Sequence, residues 1–542
     1  MLSSINRVRL VKQTLPLIFL SLAYFFTRLY NLTAFPIFSD EAIYIHWAQI
    51  ISGDWGELFI SKTDGKLPLF PWLVALLIPM FDDPLVAGRT ASILSGIATL
   101  SGIILIGRKH YSPAVGWLAG TFYIICPYAL HLERMAMLES LLTACGVWII
   151  YISLSITQKN SISSFVVLGI LMGLAFLTKA TALLLLPVIS GVLIIKKISW
   201  KPDLIKGLAI SLATLLSMSL PFLMSAQEPA FEGRHAIFNN PDYYISAETL
   251  LSLPLMIWWR NLWVISDFYK EYLSITFILL TLVFLAETIN DKNRTGWVLI
   301  FWATFPPLVI LLIANGFYSR YFLMAIPPVI LMGAQGLVVL SKFITKQFSI
   351  KGKEQNQTGE KSFLINSILL ILVIFSNLLF CAKLITNPEK APLPFLDRLL
   401  YLEGMSSGFG LKEAANFIIE ESKKEPLVLM TTIDLGNPQE GLSVYLWKKE
   451  NIKLLPVSSW PQSPKLLLEK TIPLLASKHQ RKPLRQESVA KLKNIFFLYP
   501  FTNYPELGFL KNNPDFEKMW TYRHRNGKDS INLFKKLNPV PN

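Results

Sequence analysis

Two adjacent carboxylates, Asp40 and Glu41, stand in Ser39-Asp40-Glu41-Ala42-Ile43-Tyr44, directly after the first long apolar stretch. A carboxylate within hydrogen-bond reach of a hydroxyl can take its proton as the oxygen attacks, a contribution of typically ~10²–10⁴-fold. At the exit of a membrane helix such a pair faces the boundary where a lipid-carried substrate meets a water-soluble one. The same residues also suit a helix start, with Ser39 or Asp40 as cap and Glu41 in the first turn. Asp40, Tyr44 and Trp47 then share a helical face, an acid beside two aromatic rings that could contact a substrate.

Further charges sit near the ends of apolar runs. Lys66 lies in Asp64-Gly65-Lys66-Leu67-Pro68-Leu69-Phe70-Pro71-Trp72, just before a short helix. A lysine at a helix start adds a point charge to backbone donors and suits a phosphate, although it could equally snorkel from an interfacial helix. Arg134 and Glu139 flank an apolar run in His131-Leu132-Glu133-Arg134 and Met137-Leu138-Glu139-Ser140. Lys179 falls in a tight turn between two runs, where a specific anion partner is expected, Glu139 among the choices. Arg320-Tyr321 opens another run shortly before Pro327-Pro328. Charges cost about 2.5–3.5 kcal/mol each at a helix centre, so a group of them marks a water-filled cavity or mutual pairing. Asp40, Glu41 and Glu139 are therefore the candidate catalytic acids. Lys66, Arg320, Lys179 and Arg134 are the candidate anion contacts, with Tyr44, Trp47 and Tyr321 as substrate contacts.

These residues are placed by membrane helices. The chain has 542 residues, 52% of them hydrophobic and only 16% charged, with a mean hydropathy of +0.45. A soluble enzyme of this length carries more charge. Apolar runs long enough to span a bilayer occur near 14–31, 86–107, 113–130, 136–157, 162–178, 180–196, 205–224, 272–289, 296–314, 321–341 and 363–384, about eleven in all. The stretch 68–81 is short and proline-rich and reads as an interfacial helix. No small-residue cleavage site follows the first run, which reads as a retained anchor.

Lysine and arginine set the orientation. Arg7, Arg9 and Lys12 precede the first run, and Arg108-Lys109, Lys159, Lys196-Lys197, Lys292, Arg294 and Lys342 fall in every second loop thereafter. Those loops and the N-terminus are expected in the cytoplasm of a cell inner or plasma membrane, and an odd number of spans puts the tail outside. Asp40, Glu41, Lys66, Arg134, Glu139, Lys179 and Arg320 all fall on the outer side of this scheme. The net charge of +15 is accounted for by those cytoplasmic loops, facing anionic lipid headgroups, and by a mixed-charge tail. It calls for no nucleic acid. The only cysteines, Cys126, Cys145 and Cys381, lie in expected spans, so the outer tail folds without disulfides.

Two domains are expected: a membrane domain over 1–384, with outer loops at 32–85 and 225–271 and a polar linker at 345–361, and an extracytoplasmic α/β domain over 385–542. In the latter, 412–422 reads as an amphipathic helix, 427–430 and 496–499 as buried strands, and 519–534 as a hairpin turned at Asn526-Gly527. The loop residues Glu232, Arg234, His235, Asp242, Tyr243 and Tyr244 form no convincing metal set. No zinc spacing, glycine-rich phosphate loop or Gly-x-Ser-x-Gly elbow occurs.

In ordered combination, these pieces resemble the GT-C superfamily glycosyltransferases of the dolichyl-phosphate-mannose protein mannosyltransferase type (glycosyltransferase family 39), a group that includes bacterial lipid A aminoarabinose transferases. The matching segments are Ser39-Asp40-Glu41 with Tyr44, Gly65 through Trp72, Gly88-Arg89, His131 through Ser140, Leu177-Thr178-Lys179 and Arg320 through Leu323, covering roughly 15–340. Ser407 through Glu413 resembles the start of the outer domain in bacterial members. The resemblance implies a GT-C fold and inverting transfer of a sugar from a polyprenyl-phosphate donor to a protein, lipid or glycan acceptor outside the membrane. It implies Asp40 at the catalytic acidic position of the first loop, with Lys66 and Arg320 on the donor phosphate. Two departures stand out. Glu139 replaces the aspartate of many members, and Gly65 stands where the aminoarabinose transferases carry an acid before the lysine. A divalent metal remains an option, with one ligand fewer at that place. No β-trefoil insertion of the eukaryotic type is present.

Two other readings of a polytopic chain compete. A lipid or polysaccharide transporter would show an internal repeat and charges near the midplane, whereas here the charges gather towards one face. A non-catalytic partner subunit would have no need of Asp40, Lys66 and Arg320 together.

Overall fold

The computed structural model describes residues 4–159, 161–197, 202–224, 243–351, 355–432, 436–457, 494–499, 514, 516–523 and 530–537. The chain is mostly helical. It begins with α1 (Ser4–Leu29), α2 (Ser39–Gly53), α3 (Leu69–Leu77), α4 (Pro84–His110), α5 (Pro113–Ile124), α6 (Pro127–Glu133), α7 (Leu138–Ile156) and α8 (Ile162–Thr178). There follow α9 (Leu185–Ile195), α10 (Pro202–Met224), α11 (Ala247–Leu251), α12 (Leu255–Tyr272), α13 (Ile275–Asp291), α14 (Arg294–Ile313), α15 (Ile326–Lys351) and α16 (Gln355–Thr386). The last helices among the described residues are α17 (Phe395–Arg398), α18 (Leu411–Ser422) and α19 (Gln439–Tyr445). Among the described residues five strands accompany them: β1 (Leu427–Thr432), β2 (Ile452–Val457), β3 (Ile495–Tyr499), β4 (Phe516–Arg523) and β5 (Ser530–Lys536).

Two compact units emerge. The first comprises Met1–Ala34, Trp55–Leu73 and Arg89–Pro394; the second comprises Phe35–Asp54, Val74–Gly88 and Phe395–Asn542. Much of the stretch 32–85, α2 included, thus belongs to the unit that carries the sheet.

In the first unit, among the described residues, five helices are long and apolar enough to cross a membrane, and up to seven if each of two bent pairs counts as one span. The bends lie between α5 and α6 (57°) and between α12 and α13 (109°). Shorter apolar helices occur at Thr14–Leu29, Ile162–Thr178, Ala180–Ile195 and Val373–Thr386, and Leu69–Met80 covers the stretch read as interfacial. The helix starts follow local chemistry. Ser112 accepts from the Val115 N–H ahead of Pro113, Ser274 accepts from Phe277, and Asn293 accepts from Thr295 and Gly296. Apolar side chains of α7, α8 and α9, including Cys145, Ile149, Leu168, Met172 and Leu185, form one buried cluster.

The second unit holds the sheet, ordered β2-β1-β3-β5-β4. β1 pairs parallel with β2 and β3, and β5 pairs antiparallel with β3 and β4. The central β3, Ile-Phe-Phe-Leu-Tyr, is buried along its whole length, as its unbroken apolar run requires. β2 carries Pro456 and lies at an edge, where the missing N–H costs no ladder bond. The amphipathic helix expected at 412–422 is α18, and the strands expected at 427–430 and 496–499 fall within β1 and β3. The hairpin's arms are β4 and β5; its Asn526-Gly527 turn lies outside the described residues, as do Glu232, Arg234, His235 and Asp242.

Candidate functional site

Glu139 is the hub of the charged group in the first unit. It sits in the first turn of α7 after an extended Met137, where the helix dipole favours a carboxylate. Its Oε1 lies 2.6 Å from Lys179 Nζ and 3.8 Å from Arg320 Nε. Its Oε2 is buried and has no hydrogen-bond partner among the described residues, an arrangement that calls for a ligand or solvent to complete it. Both cations stand where a helix is interrupted. Lys179 is an extended residue between α8 and the 3₁₀ turn Ala180–Leu184. Arg320 lies in the 3₁₀ segment Ser319–Ala325, before α15 opens with Pro327-Pro328. Non-helical backbone at membrane depth is tolerated where it is buried in protein or lines a cavity.

Aromatic rings frame these cations. Lys179 Nζ lies 3.8 Å from the centre of the Tyr321 ring, and the Arg320 guanidinium lies 4.2 Å from that of Tyr318. Behind them, Tyr128 donates its hydroxyl to the Ser319 carbonyl at 2.7 Å. Tyr128 stacks on Tyr272 at 4.4 Å, and Tyr272 shares a hydrogen bond with His131 at 2.8 Å. Tyr318, Tyr128 and Tyr272 were not foreseen from the sequence, since aromatic residues in apolar runs look like any other core.

Lys66 follows Gly65, whose φ of 62° closes the 3₁₀ turn Ile60–Asp64, and pairs with Asp64 at 3.2 Å. Its neighbour Leu67 belongs to one apolar cluster with Leu69, Leu177 and Phe222, against which Leu141 and Ala180 pack. The segment after Lys66 is thereby packed against the chain next to Glu139 and Lys179. Asp40 and Glu41 lie in the second unit, in the first turn of α2. Asp40 is half-buried.

Several expectations change. Arg134 is buried and donates to the carbonyls of Thr27, Arg28, Tyr30 and Asn31 at 2.6–3.1 Å. It closes the C-terminal end of α1, where helix carbonyls lack partners, and this displaces a phosphate role. Glu41 is fully buried and accepts from the Phe38 N–H at 3.0 Å, so it caps α2. Tyr44 and Trp47 are 3% and 6% exposed, covered rings that pack the core of their unit in place of offering a sugar-contacting face. Glu133, passed over in the sequence, pairs with Arg28 at 3.0 Å and accepts from Tyr24 and Tyr123. That network braces α1 against α5 and α6. Among the described residues no group of three His, Cys, Asp or Glu side chains could hold a metal ion.

Residues 65–224 match the family model described as dolichyl-phosphate-mannose-protein mannosyltransferase. The matched stretch contains Lys66, Glu139 and Lys179; Asp40 and Arg320 fall outside it. No curated protein matches the sequence. The structure is similar to ArnT from Cupriavidus metallidurans bound to undecaprenyl phosphate, with a TM-score of 0.57, 15% identity and coverage of 98% of each chain. The apo form of that protein matches with a TM-score of 0.55 at 14% identity, over 96% of this chain and 97% of that one. The archaeal oligosaccharyltransferase AglB from Archaeoglobus fulgidus, in complex with an inhibitory peptide and a dolichol-phosphate, matches with a TM-score of 0.54 at 10% identity, over 90% of this chain and 70% of that one. At such identities the likeness is one of fold. The fold is of the GT-C type, with a small sheet domain at the C-terminal end, and the resemblance read from the sequence is borne out.

Proposed function

We propose that the protein is an integral membrane glycosyltransferase that moves a sugar, with inversion, from a polyprenyl-phosphate donor to an acceptor hydroxyl on the extracytoplasmic side. The observation that carries this reading is the pairing of Lys179 and Arg320 on Glu139 at two helix interruptions, within a fold like that of a protein solved with undecaprenyl phosphate. A phosphate brought beside Lys179 and Arg320 would meet two cations already held in place. Arg320 can present a forked guanidinium to two phosphate oxygens. Lys66 adds a third cation, exchanging Asp64 for the donor.

On this reading the donor phosphate binds to Lys66, Lys179 and Arg320. Asp40 takes the proton of the acceptor hydroxyl as its oxygen attacks the anomeric carbon from the face opposite the phosphate. The bond between the anomeric carbon and the phosphate oxygen breaks, and polyprenyl phosphate leaves with its charge stabilised by the same cations. Glu139 holds Lys179 and Arg320 in register before the donor arrives. Tyr321 stands beside the sugar, its ring already against Lys179. On the same reading the chain crosses the membrane eleven times, counting the five long helices, the two bent pairs and four of the shorter apolar helices as spans, and Phe395–Asn542 lies outside.

Binding of the leaving product tests the phosphate site. Polyprenyl phosphate should bind the wild type in nanodiscs, and Lys66→Ala and Arg320→Ala should each weaken it at least ~10-fold. Equal affinity in all three proteins would leave these cations as interface anchors and remove the basis of the proposal.

A further inference from the structure

The helix that carries Asp40 takes its partners from the far end of the chain. α2 is 15 residues long with 11 of them buried, and a helix of that length is marginal in isolation, so its placement comes from packing. Within the second unit that packing is supplied by the turns before α18 and α19. Asn437, 4% exposed, is the central residue. Its Nδ2 donates to the Ile37 carbonyl at 2.8 Å and to the Ser406 carbonyl at 3.0 Å, and its backbone N–H donates to Ser39 Oγ at 3.1 Å. Ser39 in turn donates its hydroxyl to Ser406 at 3.4 Å. The partners of the first and third of these bonds are 400 and 398 residues apart in sequence.

Two glycines let the chains come this close. At Gly408, with φ of 73°, a Cβ would stand 1.9 Å from the Ile37 carbonyl oxygen. At Gly436, with φ of 103°, it would stand 2.4 Å from Ser39 Cβ. Both positions need left-handed backbone and empty space, and only glycine supplies the two together. Farther along α2, His46 is hydrogen-bonded to Glu440, and Gln49 donates to the Val444 carbonyl at 3.0 Å. Asp40 is therefore bracketed. Ser39 before it is tied to Asn437, and Glu41 after it is tied to Phe38. Its backbone is fixed on both sides while its side chain stays partly exposed, the arrangement a reacting group needs.

We infer that Asn437 is a positioning residue for Asp40, and that one role of the sheet-bearing domain is to hold the acid-bearing helix start in reacting geometry. The inference rests on the assignment of Asp40 as the base. A displacement of about 1 Å in a reacting group can cost ~10²-fold in rate. Removing the Asn437 amide should thus act on turnover while leaving donor binding, which uses residues of the other unit, unchanged.

The test compares Asn437→Ala, Ser39→Ala and Asp40→Asn, singly and with Asp40→Asn combined with each of the others, in the full-length protein in nanodiscs. Single-turnover rate and polyprenyl-phosphate affinity are measured for each. Asn437→Ala is expected to slow transfer ~10- to 100-fold at unchanged affinity. Ser39→Ala is expected to do the same to a smaller degree. Neither should slow the Asp40→Asn protein further, because an effect exerted through Asp40 vanishes when its basicity is gone. A purely structural role would lower the rate equally in both backgrounds, and that result overturns the inference, as does a wild-type rate in Asn437→Ala. Should Asn437→Ala fail to fold, Ser39→Ala decides on the same criteria. A wild-type rate in Asp40→Asn alone instead overturns the assignment of Asp40, and the inference with it.

Discussion

At the scale of single residues, Glu139 does two things at once. It partners two cations in a buried setting, and it keeps one oxygen unpartnered among the described residues. Removing one member of a buried ionic group costs about 3–5 kcal/mol, because the others stay desolvated without their counter-charge. Glu139→Gln should accordingly lower the thermal unfolding midpoint in detergent, and added polyprenyl phosphate should restore part of the loss by supplying the missing anion. An unchanged midpoint would show that the group is open to water. Arg320 should resist conservative replacement. Arg320→Lys keeps the charge but not the fork, and its affinity for polyprenyl phosphate should stay close to that of Arg320→Ala. Equal binding by Arg320→Lys and wild type would reduce the arginine to a point charge. These residues were legible in the sequence because a charge in an apolar run needs a reason. Arg134 looked the same and has another reason: the open carbonyls of α1 lie more than a hundred residues upstream, at 103–107 positions' separation. Residue type and local spacing do not distinguish a buried cap from a ligand contact; the tertiary position of α1 does.

At the scale of elements, the cations ride on interruptions, so what supports the interruptions should matter. Tyr128 on α6 holds the Ser319 carbonyl next to Arg320. Tyr128→Phe removes that bond while keeping the stack on Tyr272, a loss of about 0.5–1.5 kcal/mol in stability. Transfer should slow in the variant, and a normal rate would show that the 3₁₀ segment needs no such support. Apolar runs and caps marked most helices well, because span length and Ser, Asn or Pro at a helix start are local signals. Other features depend on distant sequence. The 109° bend between α12 and α13 follows a Leu273-Ser274 break that resembles an ordinary loop. The membership of α2 in the sheet-bearing unit depends on Asn437, Glu440 and Val444, which no periodicity near residue 40 reveals.

At the scale of the whole molecule, the proposed topology of eleven spans would put the sheet domain outside the membrane. The native cysteines Cys126, Cys145 and Cys381 are buried, so an introduced cysteine can report its side with little background. With a membrane-impermeant maleimide on intact cells, Lys424→Cys, at a side chain 72% exposed, should label. Arg294→Cys, at the start of α14, should label only after permeabilisation. The opposite pattern would invert the topology and move Lys179 and Arg320 to the cytoplasmic side. The central claim is transfer itself, and one measurement addresses it most directly. Purified protein in nanodiscs is given a panel of polyprenyl-phosphate sugars with a mixture of membrane-derived acceptors, and released polyprenyl phosphate is followed over time. At least one donor should be consumed by the wild type, and Asp40→Asn should reduce its release by at least ~10². No release from any donor by a well-folded wild-type protein, or undiminished release by Asp40→Asn, would contradict the mechanism.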